Sequence, residues 1–153
     1  MSAALHLAGP GDLDRLLPMV AAYHGEEGIE RSEAQRRDAL LPLLEGSPLG
    51  CAYLIGPRRA PIGYIVVTFG WSVEFGGMDG FIDEFFVRRG VRGRGVGSEV
   101  LQALLPQLEE AGLRALHLEA SADRPRLQSL YARAGFRLRE GYHLMTRTAK
   151  GRG

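Results

Sequence analysis

The decapeptide "RRGVRGRGVG", residues 88–97, holds four arginines and four glycines. Its neighbours decide how it reads. Before it runs "GFIDEFFV", residues 80–87, with apolar residues on both faces as in a central strand. After it, Val96, Val100, Leu101, Leu104, Leu105 and Leu108 recur at helical spacing. The stretch therefore joins a buried strand to the start of an amphipathic helix. A helix start leaves its first N–H groups without intrahelical partners and carries roughly half a positive charge. Glycines there let the backbone close on an anion, and Arg92 and Arg94 add charge that suits phosphate oxygens. Residues Arg92, Gly93, Arg94, Gly95, Val96, Gly97 and Ser98 thus read as a cradle for a phosphate or pyrophosphate. A Walker A loop would need a lysine, and a dinucleotide fingerprint would need a different glycine spacing. An RNA-binding arginine–glycine tract would lie in a disordered, aromatic-dotted segment rather than between core elements.

The rest of the chain bounds the answer. With 153 residues it is one domain, expected over 1–153, long enough for a single core. Apolar content is 45% and charged content 24%, ordinary for a globular protein. The formal net charge of +1 gives no long-range pull toward nucleic acid, so no nucleic-acid partner is expected. Lys150 is the single lysine among the 19 basic residues. Cys51 is the single cysteine, which rules out an intrachain disulfide and argues against a cysteine-based metal site; no metal is expected. The opening residues show no basic segment followed by an apolar one, and no apolar run approaches a membrane span. A cytoplasmic chain with no membrane partner is the expectation.

Outward from the cradle, "ALHLAG" (4–9) reads as a first strand, and Leu13, Leu16, Leu17 and Val20 as a helix ending near Gly25 or Gly28. Ser32 and Gln35 form a capping box for a second helix reaching about Glu45. "GCAYLIG" (50–56) and "PIGYIVVTFGWSVEF" (61–75) read as strands around a "PRRAP" turn. "ALHLEA" (115–120) is another strand, residues 127–134 a helix closed by Gly135, and "FRLREGYHLMTR" (136–147) a last strand. Pro106 is expected to kink the helix after the cradle or cap its length. The order βααβββαβαβ implies an α/β (α+β) fold, a central mixed sheet with helices on both faces.

Three segments together resemble one family. Arg92-x-x-Gly95-x-Gly97 after a strand matches the (Q/R)-x-x-G-x-(G/A) signature of the GNAT superfamily of acyl-CoA-dependent N-acetyltransferases. "FIDEFFV" (81–87) looks like its fourth strand, and "LYARAGF" (130–136) like its fourth helix and following strand. The resemblance implies acetyl-CoA as co-substrate, its pyrophosphate on the amides of residues 92–98 and its pantetheine arm along Phe86 and Val87, where strands four and five splay beside a bulge. It further implies a carboxylate base on the fourth strand, Glu84 with Asp83 as the alternative, and Tyr131 as the acid for the leaving thiolate. One departure from the pattern stands out. Arg124 takes the place of a frequent asparagine, so Asp123 is left to cap the fourth helix.

The acceptor is implied to lie under the connection between the first two helices, "AYHGEEGIE" (22–30). Tyr23, Glu26 and Glu27 there suit a small cationic amine, and Trp71 is a further candidate lining residue. "EFFV" followed by "RGRGVGSEVL" is locally similar to diamine and polyamine acetyltransferases. His117, His143 and Cys51 are scattered singly and read as structural. A non-catalytic acyl-CoA-binding module and an enzyme acting on a protein amine are the alternatives, and a homodimer is an open possibility by analogy.

Overall fold

The computed structural model describes residues 4–151; the remaining positions of the expected 1–153 domain lie outside the described residues. Five strands form one sheet in the order β1-β2-β3-β4-β5: β1 (Leu5–Leu7), β2 (Gly50–Ile55), β3 (Gly63–Ser72), β4 (Gly77–Val87) and β5 (Ala115–His117). β1 to β4 are antiparallel neighbours, and β5 joins β4 in parallel, so the sheet is mixed. The helices are α1 (Leu13–Glu27), α2 (Glu33–Leu44), α3 (Val96–Glu110) and α4 (Pro125–Arg133).

The helices cover both faces, because the middle strands are apolar on both. On β3, Tyr64 and Val66 pack with Leu16, Met19 and Val20 of α1 and Leu40 and Leu44 of α2. The alternate residues Ile65 and Val67 pack with Val100, Leu101 and Leu104 of α3. Side chains on a strand alternate between faces, so one continuous apolar run serves two cores. Leu130 and Tyr131 of α4 lie against the second core, partly buried.

The punctuation follows local chemistry. α1 stops at Gly28, whose φ of 69° is the left-handed conformation glycine adopts without a Cβ penalty. α2 starts on the expected box: Gln35 N–H donates to Ser32 Oγ at 3.1 Å, and Ser32 N–H to Gln35 Oε1 at 2.8 Å. Pro106 does not end α3, which continues to Glu110. It sits on the exposed face, where the loss of one N–H bond is tolerated by hydration of the freed carbonyl.

Two expectations at the C-terminal side do not hold. Residues 136–147 form no strand, and Leu138, Tyr142, Leu144 and Met145 are exposed. Alternation makes a strand only where a partner edge exists, and the three-residue β5 offers little ladder. The segment is held instead by Arg139, which pairs with Glu74 at 3.0 Å and stacks over Phe75 and Tyr142. Nor does Asp123 cap α4. Arg124 is the N-cap residue, makes no side-chain cap bond, and is followed by Pro125 at the first helical position, where the absent N–H costs nothing.

The entry into α1 rests on Asp12, buried with 5% exposure. Its carboxylate accepts from Gly9 N–H at 2.9 Å and pairs with Arg15 at 3.1 Å and Arg58 at 3.2 Å. Burial works against the charge, but the Gly9 amide and the two guanidiniums outweigh it and hold the carboxyl below the usual carboxylate range. A carboxyl lowered in the folded state contributes its full stability above the unfolded value of 3.8, and that contribution is lost as pH falls through the folded value. Asp12→Asn is expected to cost about 2 kcal/mol at pH 7 and much less near pH 2, measured by urea unfolding at both pH values.

Candidate active site

One residue too many in β4 shapes the site. The β3–β4 register runs Val66↔Glu84 and then Val67↔Ile82, so Asp83 is an unpaired bulge residue. In a regular strand Ile82 and Glu84 would share a face. The bulge separates them: Ile82 joins the α3 core, while Glu84 turns with Phe86 toward α1. Beside it the sheet opens. β4 pairs with β5 only from Asp79 to Phe81, which leaves the edge of β4 from Ile82 to Val87 without a neighbouring strand.

Glu84 is held from two sides. Its Oε1 accepts from the Tyr64 hydroxyl at 2.8 Å, and its Oε2 lies 2.7 Å from His24 Nε2. The other imidazole nitrogen, Nδ1, lies 3.2 Å from Arg36 Nε, which can only donate. These partners assign the tautomer: Nδ1 accepts, so Nε2 carries the proton and gives it to Glu84 as a hydrogen bond. The result is a chain Arg36–His24–Glu84–Tyr64 across α2, α1, β4 and β3. Tyr64 is fully buried, and that burial pushes its phenol far above the usual range, with the Glu84 charge reinforcing the shift. Asp83 differs. Its side chain is open at the bulge, yet its carboxyl is raised, first by desolvation among the surrounding chain and then by the negative charges of Glu84 and Glu119.

A cavity of about 600 Å³ runs from the open edge of β4 to the start of α3. Phe86, Val87, Arg92, Gly93, Gly95, Val96, Gly97 and Ser98 all line it, with Tyr23 and Tyr131 on its walls; Arg94 does not line it. The glycines have separate reasons. Gly93 and Gly95 each have φ of 79°, and Gly95 caps α3 in that conformation. Gly97 makes room for a neighbour rather than an anion, since a Cβ there would stand 3.1 Å from Leu130 of α4. The first-turn amides of Val96, Gly97 and Ser98 precede the first helical bond, from Glu99 N–H to Gly95 O. Arg89, Arg124, Arg126 and Arg133 also line this cavity, so its surroundings are strongly cationic.

The signature arginine is exposed, yet its guanidinium is engaged by the protein itself. Arg92 Nε donates to Val87 O at 2.7 Å, its guanidinium lies over the Phe86 ring, and Nη2 makes a bidentate pair with Glu26 at 2.8 and 2.9 Å. It ties α1 to the end of β4. Glu26 and Glu27, expected at an acceptor, are thus committed elsewhere: Glu26 to Arg92 and Arg89, and Glu27 to Arg124 at 2.7 Å. Arg124, the departure from the family pattern, therefore braces α4 against α1. Trp71 sits near the β3–β4 turn, paired with Met78 and 77% exposed, and lines neither cavity described here. Tyr131 meets Phe136 edge-on, and burial, then the Glu27 charge, raise its phenol above the usual value.

A second cavity is lined by Glu84 together with His24, Arg31, Gln35 and Arg36. The sequence places His24 in the candidate acceptor stretch 22–30 without a role of its own, and Arg36 is not singled out at all. A histidine near a helix end gives no signal by itself, and only the fold brings it to Glu84, 60 positions away. His117 pairs with Asp79 at 3.3 Å between the Phe75 and Phe81 rings, apart from both cavities. Among the described residues, no group of three or more His, Cys, Asp or Glu is placed to hold a metal, and no helix is long and apolar enough to cross a membrane.

Comparison with known proteins agrees with this architecture. The family model described as "Acetyltransferase (GNAT) family" matches residues 16–136. An integron cassette protein from the mobile metagenome of Cole Harbour Salt Marsh is 33% identical, with a TM-score of 0.81, over 94% of this chain and 89% of that one. A ribosomal-protein-alanine N-acetyltransferase from Brucella melitensis biovar Abortus 2308 shares the fold at 17% identity and a TM-score of 0.75, over 96% of this chain and 100% of that one. An integron cassette protein from the mobile metagenome of V. cholerae does so at 16% identity and a TM-score of 0.78, over 99% and 95%. No curated protein sequence matches the chain. The bulged fourth strand, the splayed neighbour, the glycine-capped α3 and the family match over most of the length agree: the chain belongs to the GNAT acetyltransferase family.

Proposed function

We propose that the protein transfers the acetyl group of acetyl-CoA to a primary amine of a small molecule by direct attack in a ternary complex. The observation that carries this reading is the position of Glu84, a hydrogen-bonded carboxylate that lines the second cavity on the bulged strand, next in the chain to Phe85 and Phe86, which line the first. Acetyl-CoA supplies a thioester, whose acyl group passes to the amine as the C–S bond breaks.

The residues present suit that co-substrate. The free amides of Val96, Gly97 and Ser98, with the positive end of the α3 dipole, suit a pyrophosphate. Arg126 and Arg133 bring further positive charge to the cavity wall. The free edge of β4 offers backbone groups to the amides of a pantetheine arm, as an added strand would use them. Val87 O is already taken by Arg92, so the pairing falls on the groups before it.

An alkylammonium has a pKa of about 10.4 and is mostly protonated at neutral pH. Glu84 takes that proton, directly or through one water, as the nitrogen attacks. Tyr64 and His24 fix the carboxylate so that little reorganisation is needed, and Arg36 keeps His24 in the donating tautomer. Tyr131 gives its proton to the departing sulfur. Its raised phenol pKa keeps that proton in place at neutral pH, ready to move as negative charge builds on sulfur.

A second assignment of the base has its own observation: Asp83 is open at the splay, and its raised carboxyl is a better proton acceptor than an ordinary aspartate. Single variants separate the two. Glu84→Gln is expected to lower kcat about 100-fold while Asp83→Asn changes it only a few-fold, read by thiol release across pH 6 to 9. The opposite ranking transfers the role to Asp83. Tyr131→Phe is expected to lower kcat about 100-fold with little change in the Kd for acetyl-CoA, measured by turnover and titration on the same preparation. Acetyl-CoA and CoA at about 100 times Kd are expected to raise Tm by about 5 to 10 °C, while ATP, NAD and a short RNA leave it unchanged. A shift with CoA but no thiol release with any amine would favour a non-catalytic acyl-CoA binder.

A further inference from the structure

Acetyl transfer needs an acceptor amine, and the second cavity bears on its nature. Its volume is about 440 Å³, ample for a small molecule. Glu84 lines it beside the bulge. Two arginines line it as well: Arg31 from the α1–α2 connection and Arg36 from the first turns of α2. Gln35 stands beside them, with its amide oxygen engaged by Ser32 N–H.

The charge balance of this cavity is unusual for a site meant for a plain cation. Arg31 makes one hydrogen bond, to the Glu30 backbone oxygen, and faces no carboxylate among the described residues. Arg36 spends its Nε on His24 and likewise pairs with no carboxylate among the described residues. His24 contributes no charge in the tautomer its partners impose. Glu84 is the one acid on this wall, and both of its oxygens already accept a hydrogen bond. The acids that would attract a polyamine, Glu26 and Glu27, are neutralised by Arg89, Arg92 and Arg124.

The site is therefore dipolar. Its negative end stands where the amine must lose a proton, and its positive end lies one imidazole ring away. A diamine would place its second ammonium against two guanidiniums. An acceptor with an anionic group a few bonds from its amine would satisfy both ends, and guanidinium forks match a carboxylate in geometry as well as charge. Resting on the acetyltransferase reading above, we infer that the acceptor is a small amine bearing an anionic group, of the amino acid type, with Arg31 and Arg36 binding its carboxylate. Arg36 then has two tasks: it positions His24 with Nε and meets the substrate with its terminal nitrogens. Arg31 has only the second.

The test uses the full chain saturated with CoA and matched sets of small amines: amino acids, their methyl amides, the decarboxylated amines, and aminoalkylphosphonates. Binding is read by calorimetry and, with acetyl-CoA in place of CoA, turnover by thiol release. The amino acid of a set is expected to bind about tenfold to a hundredfold tighter than its amide or its decarboxylated partner, the range of charge-assisted hydrogen bonds. Arg31→Gln should remove most of that preference, raising KM for the amino acid with little change in kcat, while Arg31→Lys restores part of it. The CoA-induced Tm shift should be the same in wild type and both variants. A preference for the phosphonate would keep the anionic acceptor and make phosphate its source of charge. No preference for the anionic member in any set, or a preference that Arg31→Gln leaves intact, overturns the inference. Loss of the CoA shift in the wild type would instead strike the acetyltransferase reading beneath it.

Discussion

A partly buried carboxylate sets the constraint that the rest of the site obeys. Glu84 stands on β4 between Asp83 and Phe85, and a charge removed from water is costly unless it is hydrogen-bonded. The Tyr64 hydroxyl and the His24 imidazole meet that need from β3 and α1. Each in turn is fixed by packing: Tyr64 is fully buried against Phe86, and His24 is held by Arg36 from α2. One charge thereby ties four elements together in a single orientation. The same bonds that make the charge tolerable hold it at the wall of the second cavity.

The gap itself comes from backbone geometry. An extra residue at Asp83 turns Glu84 to the α1 face while leaving Ile82 on the α3 face. The parallel partner β5 is only three residues long, so β4 keeps a bare edge beyond Phe81. Unpaired edge groups are normally a liability. Here they border a cavity with a cationic rim and a helix start, a place where a ligand can supply the missing partner. Arg92 closes the far end of that edge by taking Val87 O and anchoring Glu26. Its fork is used for holding the walls together, so the positive charge left free around the cavity comes from α4 and from the helix start.

The two arms of α1 illustrate how one helix serves both cavities. Tyr23 faces the cradle side and His24 the other, with Glu26 and Glu27 clamped to Arg92 and Arg124 at the helix end. These clamps explain why acids that look free in the sequence are not available to a substrate. They also give Arg124 a purpose. At a position where a cap would be usual, it links α4 across to α1 while Pro125 starts the helix.

What the sequence determined by itself is local or periodic. Glycine at 28, 93 and 95 marks left-handed turns because no other residue adopts them cheaply; Ser32 and Gln35 mark a helix start because their bonds span three residues. The apolar residues on both faces of 80–87 mark β4 as a central strand because it must face two cores. From these came the sheet, its covering helices and the glycine turns before α3. What only the tertiary structure decided depends on partners distant in the chain. The bulge at Asp83 exists only in the register with β3, and the face of Glu84 follows from it. The roles of His24 and Arg36, the commitment of Glu26 and Glu27, and the remoteness of Trp71 rest on contacts that no spacing encodes. The expected strand over 136–147 failed for the same reason: its alternation was real, but a strand needs an edge to pair with, and that edge is a property of the assembled sheet.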